Sequence, residues 1–512
     1  MKTEQKNMTF RKLRKLFGKS LRDDPLLTLA MFHPQMVLSD FGDGDAFRLS
    51  DALTGIFVAG ATGSGKTSGA AKFFAYAYLA AGFGGLVLCA KKEERAQWEK
   101  WAAETGRTDD LVIIDASGKH QFNFLRREAE RSGGGGGFTI NIVNLLVTIA
   151  SALAGGSGPD AAGNGSEKFW VDALRYLCTN LVDLMVLAEV EVTLPLLRSI
   201  LNSAPLSLAQ VKDPKWEGES DCAATLRGAD ETTARKEDPE ARADFEECKT
   251  YWTKEFPALS DKTRSIIVLM LGMLVRPLVT RPLRKLFSAD TNITPEDAFE
   301  GKIILIDLPT QEFQLAGKIA NHIWKFCFQT AVLRRTPPKE GFLRPVFLYA
   351  DEAQNFVTSF DAEYQSVARS AGGATIFLTQ NRENFRRVLH NDDAVDSLLN
   401  NLQLKVFFQN TGATNKWASE MIGERWQKIS STNVGQSQNE AMLPHEQHKH
   451  HNAGVSRSEQ RRFFVEPATF TTLRRGGALN HFQVDAILFN GGQLFFNGKE
   501  YLPFKHITFN QK

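Results

Sequence analysis

Residues 54–68 read TGIFVAGATGSGKTS, and this stretch decides the fold. The apolar run before Gly60 predicts a short buried strand, and the alanine-rich segment after Lys66 predicts a helix. Glycines between the two let the backbone curl, so that successive N–H groups point at phosphate oxygens. The pattern G-x-x-x-x-G-K-[ST] therefore predicts a phosphate-binding loop (P-loop) for ATP, in which Lys66 reaches the β- and γ-phosphates and Thr67 holds Mg²⁺. The candidate nucleotide-binding residues are Gly60, Ala61, Thr62, Gly63, Ser64, Gly65, Lys66, Thr67 and Ser68. The alternative is a glycine-rich turn before a surface helix.

Nucleotide hydrolysis also needs carboxylates near the phosphates, and VFLYADE at 346–352 supplies them. An apolar strand ends there at Asp351 and Glu352, and ligands of open α/β sheets bind where strands end. We expect Asp351 to act on Mg²⁺ through its water shell and Glu352 to polarise the attacking water. Asp115 and Asp307 also follow apolar runs, but neither is followed by Glu, so Asp351 and Glu352 are preferred. The alternative is an Asp-Glu pair that caps the next helix.

Two more candidate catalytic residues follow this pair within 30 residues of sequence. ATIFLTQ at 374–380 predicts a buried strand, and in many P-loop motors the strand beside the carboxylate strand ends in a polar residue that senses the γ-phosphate. Gln380 is the candidate for that role; the alternative is a glutamine that caps a turn. Arg369, in SVARSAGG, is a candidate arginine finger that reaches the nucleotide of a neighbouring subunit. The alternative is a surface arginine or a structural ion pair.

Strands alternate with helices around the P-loop and again from residue 302, which predicts an α/β fold with a mostly parallel central sheet. The residues between these two parts have a helical pattern and predict an inserted all-α domain, with a polar surface loop at 212–240. The expected divisions are a basic N-terminal leader at 1–50, a first part of the nucleotide-binding domain at 51–165, the all-α insertion at 166–290, and the second part at 291–512 with a mobile loop at 430–462.

The basic leader has its own pattern. Apolar residues recur at helical spacing between lysines and arginines, namely Phe10, Leu13, Leu16, Phe17 and Leu21. An amphipathic helix of this kind lies on a membrane surface or docks on a partner. The alternative is an ordinary packed N-terminal helix.

Composition narrows the class of protein. The five cysteines are scattered without C-x-x-C spacing, which predicts reduced thiols and no zinc site. The longest apolar run, Ile266–Val275, is about half of the ~20 residues needed to span a bilayer, so no transmembrane segment is predicted. The histidine-rich HEQHKHHN at 445–452 lacks a closed set of ligands and predicts a polar loop. A net charge of +2 argues neither for nor against nucleic acid, since only a local patch must meet phosphates.

Taken in order, these motifs resemble the coupling-protein ATPases of conjugation and type IV secretion, the TraG/TraD-type family within the FtsK–HerA group of motors. GATGSGKT is similar to the family's P-loop, YADEAQNF at 349–356 to its carboxylate motif, and LTQNRENF at 378–385 to its glutamine strand end. HQFNFL at 120–125 and NNLQLKVFFQNTGATNKWASEMIG at 400–423 are similar to two further family segments. The resemblance extends from about residue 53 to about residue 504.

The resemblance implies a RecA-like P-loop NTPase core, a hexameric ring with a central channel for DNA, and ATP hydrolysis at subunit interfaces. It also implies a link between the relaxase or relaxosome and a secretion channel, and Arg369 fits the family's arginine that acts in trans. Typical members begin with two transmembrane helices, which are not predicted here. The second glutamine of the family's T-Q-x-x-x-Q pattern is absent, with Asn384 nearby. We therefore expect a cytoplasmic protein that reaches the inner face of the cell membrane through a separate membrane-protein partner or the leader.

The leading functional hypothesis is an ATP-hydrolysing motor that binds single- or double-stranded DNA and recruits or translocates it, with a relaxase, to a conjugation channel. One alternative is an adaptor that recruits protein substrates for secretion and uses nucleotide only as a switch. Another is a cytosolic HerA-like translocase of DNA processing.

Overall fold

The computed structural model describes residues 32–131, 139–153, 165–288, 290–438 and 449–512. The strands are β1 (Val37–Asp40), β2 (Ala46–Arg48), β3 (Ile56–Ala59), β4 (Gly84–Leu88), β5 (Leu111–Ile114), β6 (Ile303–Ile306), β7 (Val346–Ala350), β8 (Gly373–Thr379), β9 (Leu404–Phe407), β10 (Glu424–Gln438), β11 (Lys449–Phe463), β12 (Gln483–Asn490), β13 (Phe495–Phe496), β14 (Tyr501–Leu502) and β15 (Phe504–Asn510). Nine of them form one sheet in the order β15-β12-β9-β3-β8-β7-β4-β6-β5.

The seven strands from β9 to β5 are parallel, and β12 and β15 extend the sheet with antiparallel pairing. The parallel strands are short and apolar because both faces of the sheet are covered. In β3, Phe57 and Ala59 belong to the core on one face, while Ile56 and Val58 belong to the core on the other. The predicted α/β class with a mostly parallel central sheet is confirmed.

The helices that flank the sheet come from two parts of the chain, one before β5 and one after β6. They are α1 (Leu49–Ala52), α2 (Lys72–Ala80), which continues a π-helical turn at Thr67–Ala71, and α3 (Glu93–Thr105). After β6 come α14 (Thr310–Leu333), α15 (Phe360–Ala368), α16 (Glu383–Leu389), α17 (Asp392–Asn401), α18 (Ala413–Ile422) and α19 (Pro467–Thr471). Most of these helices connect parallel strands, as expected for alternating strands and helices.

The chain between β5 and β6 is helical in its described part. Its helices are α4 (Phe124–Ala129), α5 (Thr139–Leu153), α6 (Gly165–Leu187), α7 (Leu194–Asn202), α8 (Pro214–Glu219), α9 (Asp221–Lys236), α10 (Pro239–Thr250), α11 (Phe256–Ala258), α12 (Asp261–Leu278) and α13 (Leu283–Phe287). Apolar side chains recurring every three or four residues, such as Leu174, Leu177, Leu181 and Met185 of α6, are buried against their neighbours.

The expected surface loop at 212–240 is wrong, because α8 and α9 occupy most of it and α10 begins within it. Its charged residues lie on exposed faces, while Ala223, Leu226 and Ala229 are buried. The helices start at capping residues: the side chain of Ser220 accepts a hydrogen bond from the Ala223 amide, and that of Asp238 from the Glu240 amide. Caps and a narrow apolar stripe are sufficient to form these helices despite a polar composition.

The predicted loop at 430–462 is also corrected where the structure describes it. β10 and β11 pair in antiparallel register from Glu424 with Phe463 to Gln438 with Lys449. This ribbon is not part of the nine-stranded sheet. Backbone hydrogen bonds between paired strands do not require apolar side chains, so a Ser-, Asn- and Gln-rich segment can pair as a two-stranded ribbon. The side chains of 429–457, which include His450 and His451, and all of 439–448 lie outside the described residues.

The boundary expected at residue 50 falls inside the folded part of the chain. Phe41 and Phe47 are buried and pack on Phe73 and Phe74 at the start of α2. The amphipathic pattern between Phe10 and Leu21 lies outside the described residues. Among the helices that the structure describes, none combines the length and hydrophobicity that crossing a membrane requires.

Candidate nucleotide-binding site

The loop from Gly60 to Thr67 joins the carboxyl end of β3 to the π-helical turn before α2. Gly63 and Gly65 have φ angles of +70° and +88°, which L side chains rarely adopt. A Cβ on Gly60 would come within 2.5 Å of the Ser64 hydroxyl and 2.7 Å of the Phe408 Cβ. The three glycines are therefore required by backbone conformation and by space.

Lys66 is 7% exposed, and its ammonium group donates hydrogen bonds to the carbonyl oxygens of Gly60 at 2.6 Å and Ala61 at 3.3 Å. Burial lowers the pKa of Lys66, and the nearby charges of Asp351 and Glu352 oppose this shift. The loop thus holds a cation among backbone groups at the amino end of a helix, an arrangement that favours anions.

Asp351 follows β7 and meets the P-loop directly. The Thr67 hydroxyl donates a 2.9 Å hydrogen bond to Asp351 Oδ2, and Asp351 is 2% exposed. A hydroxyl and a carboxylate are oxygen ligands of the kind that Mg²⁺ prefers. The chemistry of these two groups therefore fits a magnesium site beside the P-loop.

The rival carboxylates lie elsewhere along the sheet. Asp307 follows β6, four strands from β3, and a spacing of about 4.8 Å per strand puts it about 20 Å away. Asp115 follows β5, one strand further. Arg95 pairs with both, at 2.8 Å from Asp307 and 3.6 Å from Asp115. This geometry excludes direct contact between either carboxylate and the P-loop.

Glu352 adopts a left-handed backbone conformation with φ of +50°. Its Oε1 accepts a hydrogen bond from the Lys91 ammonium at 2.9 Å, and its Oε2 accepts one from the Gln354 amide at 2.9 Å. Burial acts to raise the pKa of Glu352, but these hydrogen bonds and the charges of Lys91 and Lys66 outweigh it, so the pKa is lowered overall. The carboxylate is held in its ionised form.

Gln380 follows β8, which lies between β3 and β7. Its side-chain Nε2 is 3.5 Å from Glu352 Oε2, and its backbone carbonyl oxygen accepts a 2.7 Å hydrogen bond from the side-chain amide of Asn410. The structure therefore brings Gln380 together with Glu352, Asp351, Lys66 and Thr67 at one edge of the sheet.

Arg369 is not part of this group. It follows α15 and is exposed, four residues before the first residue of β8. Since β3 and β8 are parallel, Arg369 lies at the amino end of the strands and the P-loop at the carboxyl end. Within one chain, Arg369 and the P-loop therefore lie at opposite ends of the parallel strands.

Several residues that contact the site were not found from the sequence. Lys91 and Gln354 contact Glu352, and Arg475 and Gln511 reach the P-loop from the last part of the chain. The Arg475 guanidinium donates to the Thr62 carbonyl oxygen at 2.7 Å, and the Gln511 amide to the Ser68 hydroxyl at 2.7 Å. Lys91 had a usable signal, since it follows a buried strand as Asp351 does. Arg475 and Gln511 lie about 400 residues from the P-loop in sequence and had none.

Residues 345–475, which include Asp351, Glu352 and Gln380, match the protein-family model described as the TraM recognition site of TraD and TraG. The chain resembles the TraG/TraD-type coupling proteins. The match covers the carboxylate strand, the glutamine strand and the ribbon. No curated protein sequence gives a significant match to the chain.

The likeness to coupling proteins extends to the fold. An unbound form of the bacterial conjugative coupling protein TrwBdeltaN70 aligns with a TM-score of 0.59 at 14% identity, over 97% of this chain and 92% of that one. The plasmid coupling protein TrwB in complex with ADP and Mg²⁺ aligns with a TM-score of 0.59 at 15% identity, over 94% and 91%. TrwB with the ATP analogue ADPNP gives 0.58 at 15% identity, over 94% and 90%. The chain therefore has a coupling-protein fold over nearly its whole length.

Proposed function

We propose that this chain is an ATP-hydrolysing coupling protein that moves or recruits DNA for conjugation or type IV secretion. The observation that carries the proposal is the convergence of Lys66, Thr67, Asp351, Glu352 and Gln380 at one edge of a sheet with a coupling-protein fold. Solved complexes of TrwB with ADPNP and with ADP and Mg²⁺ support the binding of nucleotide and Mg²⁺ by this chain.

Each residue has a role in hydrolysis. The P-loop amides and Lys66 bind the phosphates, and Thr67 and Asp351 hold Mg²⁺, which when bound neutralises charge on the phosphate oxygens. Glu352 orients and polarises a water, whose proton passes to the ionised Glu352 carboxylate while its oxygen forms a bond to the γ-phosphorus and the bond to the β–γ bridging oxygen breaks. The products are ADP and inorganic phosphate. Gln380 contacts Glu352 and is placed to respond to the γ-phosphate.

The assembly belongs to the same proposal. A hexameric ring would place Arg369 of one subunit near the nucleotide of the next, which one chain alone does not achieve. DNA would pass through the ring, and a relaxase or relaxosome would deliver it. A separate membrane-protein partner would connect the ring to a secretion channel.

The test measures ATP hydrolysis by the wild-type chain and by Lys66→Ala, each with and without single- and double-stranded DNA. We expect DNA to stimulate the wild-type rate and Lys66→Ala to reduce it to background. Lys100→Ala, which removes an exposed lysine of α3, is the control and should retain the wild-type rate. Equal rates for the wild type and Lys66→Ala would contradict catalysis at the P-loop.

The matched family description favours one second candidate, because it names recognition of another protein, TraM, by TraD and TraG. The chain would then be an adaptor that recruits protein substrates and uses nucleotide as an assembly switch. Tight binding of a relaxosome protein, with negligible ATP turnover in the presence of DNA, would support the adaptor over the motor.

A further inference from the structure

Lys91 lies beside the carboxylates although its own strand carries none of the candidate residues. β4 pairs with β7 in parallel register up to Leu88 and Ala350, so Lys91 and Glu352 leave the same edge of the sheet from neighbouring strands. The Lys91 ammonium is 2.9 Å from Glu352 Oε1 and 3.6 Å from Asp351 Oδ2. One cation thus bridges two carboxylates.

The backbone around Lys91 is held by two other elements. Its amide donates a 3.1 Å hydrogen bond to Glu94 Oε1 at the start of α3, and Glu94 is 3% exposed. The neighbouring Cys89 amide donates to Asn321 Oδ1 of α14 at 3.2 Å. Because the turn is anchored on both sides, the Lys91 side chain starts from a defined position.

Glu352 depends on such a contact. Its Oε2 faces the amides of Gln354 and Gln380, whereas the hydrogen bond the structure records at Oε1 comes from Lys91. The side chains of Asp351 and Glu352 are only 3% and 13% exposed and that of Lys91 is 32% exposed, so both ion pairs are partly shielded from the water that weakens surface ion pairs. Removing the ammonium group would free one side of the carboxylate to rotate.

We propose that Lys91 is a positioning residue for ATP hydrolysis, which fixes the carboxylate of Glu352 toward the P-loop from the neighbouring strand. The inference rests on the proposed function. It assigns no contact between Lys91 and the nucleotide, so it concerns the rate of the chemical step and not the binding of nucleotide.

The experiment compares Lys91→Met, which keeps the length and apolar stem of the side chain, with Lys91→Arg, which keeps the positive charge. Lys92→Met is the matched control, since Lys92 is the exposed next residue. For each variant, kcat and KM for ATP, the Kd for the fluorescent nucleotide mant-ADP, and the thermal unfolding midpoint are measured. Lys91→Gln replaces Lys91→Met if the latter unfolds below the assay temperature.

We expect Lys91→Met to lower kcat by roughly 10- to 100-fold, the effect of misplacing a catalytic group by about 1 Å. KM and the mant-ADP Kd should match those of Lys92→Met, and Lys91→Arg should recover part of the lost kcat. A merely structural residue would change kcat and nucleotide affinity together.

Three results would overturn the inference: an undiminished kcat in Lys91→Met, a kcat loss accompanied by an equal loss of mant-ADP affinity, or a Lys91→Arg rate no higher than that of Lys91→Met. Glu352→Gln separates this failure from that of the proposed function. If the wild type and Glu352→Gln hydrolyse ATP equally, hydrolysis at this site fails altogether; if Glu352→Gln is slow and Lys91→Met is fast, only the role of Lys91 fails.

Discussion

Polar side chains of the candidate site cluster at the carboxyl ends of the parallel strands. At the amino ends the packing is close, and the only predicted catalytic residue there is the exposed Arg369. At the carboxyl ends, Lys66, Asp351 and Glu352 lie within a network of hydrogen bonds and ion pairs. At the amino end of β4, the backbone of the segment before β6 leaves no room for a Cβ on Gly84. The two ends share the same strands but have different chemistry.

The comparison explains why the predicted catalytic set is divided. β8 has seven residues, so its two ends are separated by about 20 Å at roughly 3.3 Å per residue. No arginine side chain spans that distance. Arg369 can act on ATP only if another copy of the chain places its amino-end surface against the carboxyl-end site, through a heterologous contact that closes into a ring.

The largest expected effect comes from Arg369→Ala. If Arg369 stabilises transition-state charge in trans, this variant should lose about 10³-fold or more in ATP turnover. Mixing Arg369→Ala subunits with Glu352→Gln subunits should then restore activity, because about a quarter of randomly formed head-to-tail interfaces pair an intact Glu352 site with an intact Arg369. Steady-state ATPase of the equimolar mixture is the measurement.

The control for mixing is each variant alone at the same total concentration. Activity of the mixture no greater than the mean of the two variants would contradict a role in trans. If size-exclusion chromatography in ATP and DNA shows only a monomer and that monomer has full activity, Arg369 does not act on a neighbouring subunit and no ring is needed.

A smaller effect is expected from Gly84→Ala at the amino end. The added Cβ would overlap the Ala298 carbonyl oxygen and lie 2.9 Å from that of Lys302. Overpacking of this kind costs about 1–3 kcal/mol in the free energy of unfolding. Urea unfolding measures the loss, and the mant-ADP Kd at the other end of the strands should stay unchanged.

Gly272→Ala is the matched substitution. Gly272 lies in the interior of α12, and apart from the backbone of its own helix and its chain neighbours no atom lies within 4 Å of a Cβ built on it. It should stabilise the chain by about 0.5–1 kcal/mol, because alanine favours a helix over glycine. If Gly84→Ala and Gly272→Ala have equal unfolding free energies, close packing around Gly84 does not make an added Cβ destabilising there.

A pH-dependent effect on stability is expected from His322, which lies in the middle of α14, the helix that follows β6. His322 is 4% exposed. Burial, followed by the charges of Lys325 and Lys318, holds the pKa of His322 well below its ordinary value of 6.5. The unfolded chain therefore takes up a proton first as the pH falls. Above pH 6.5 the protonation of His322 does not change the free energy of unfolding. Below pH 6.5 it lowers the free energy of unfolding by up to about 1.4 kcal/mol per pH unit.

His322→Gln stays neutral at every pH and removes this term. The difference in unfolding free energy between wild type and His322→Gln, measured at pH 8 and pH 5.5, should therefore shift in favour of the variant at the lower pH. A difference that is the same at both values would show that His322 does not titrate with unfolding.

Local patterns were sufficient for the α/β class and for most of the candidate site. The P-loop, Asp351, Glu352 and Gln380 each follow a short apolar strand, and strand ends of a parallel sheet share one edge. The pattern was insufficient at 212–240 and 430–462, where polar composition suggested loops. The first segment is helical, with capping side chains at the helix starts, and the second is a pair of antiparallel strands. Neither capping nor strand pairing depends on many apolar residues.

By itself, the sequence determined that a curled glycine-rich loop follows a buried strand, because backbone conformation and apolar runs are properties of neighbouring residues. Only the tertiary structure decided which distant groups meet there. Register between β4 and β7 put Lys91 against Glu352, and the antiparallel strands at the end of the chain brought Gln511 to Ser68. The order of strands removed Asp115 and Asp307 from the P-loop, because each intervening strand adds about 4.8 Å. The same parallel geometry placed Arg369 at the opposite end of the strands, out of reach of the P-loop of its own chain.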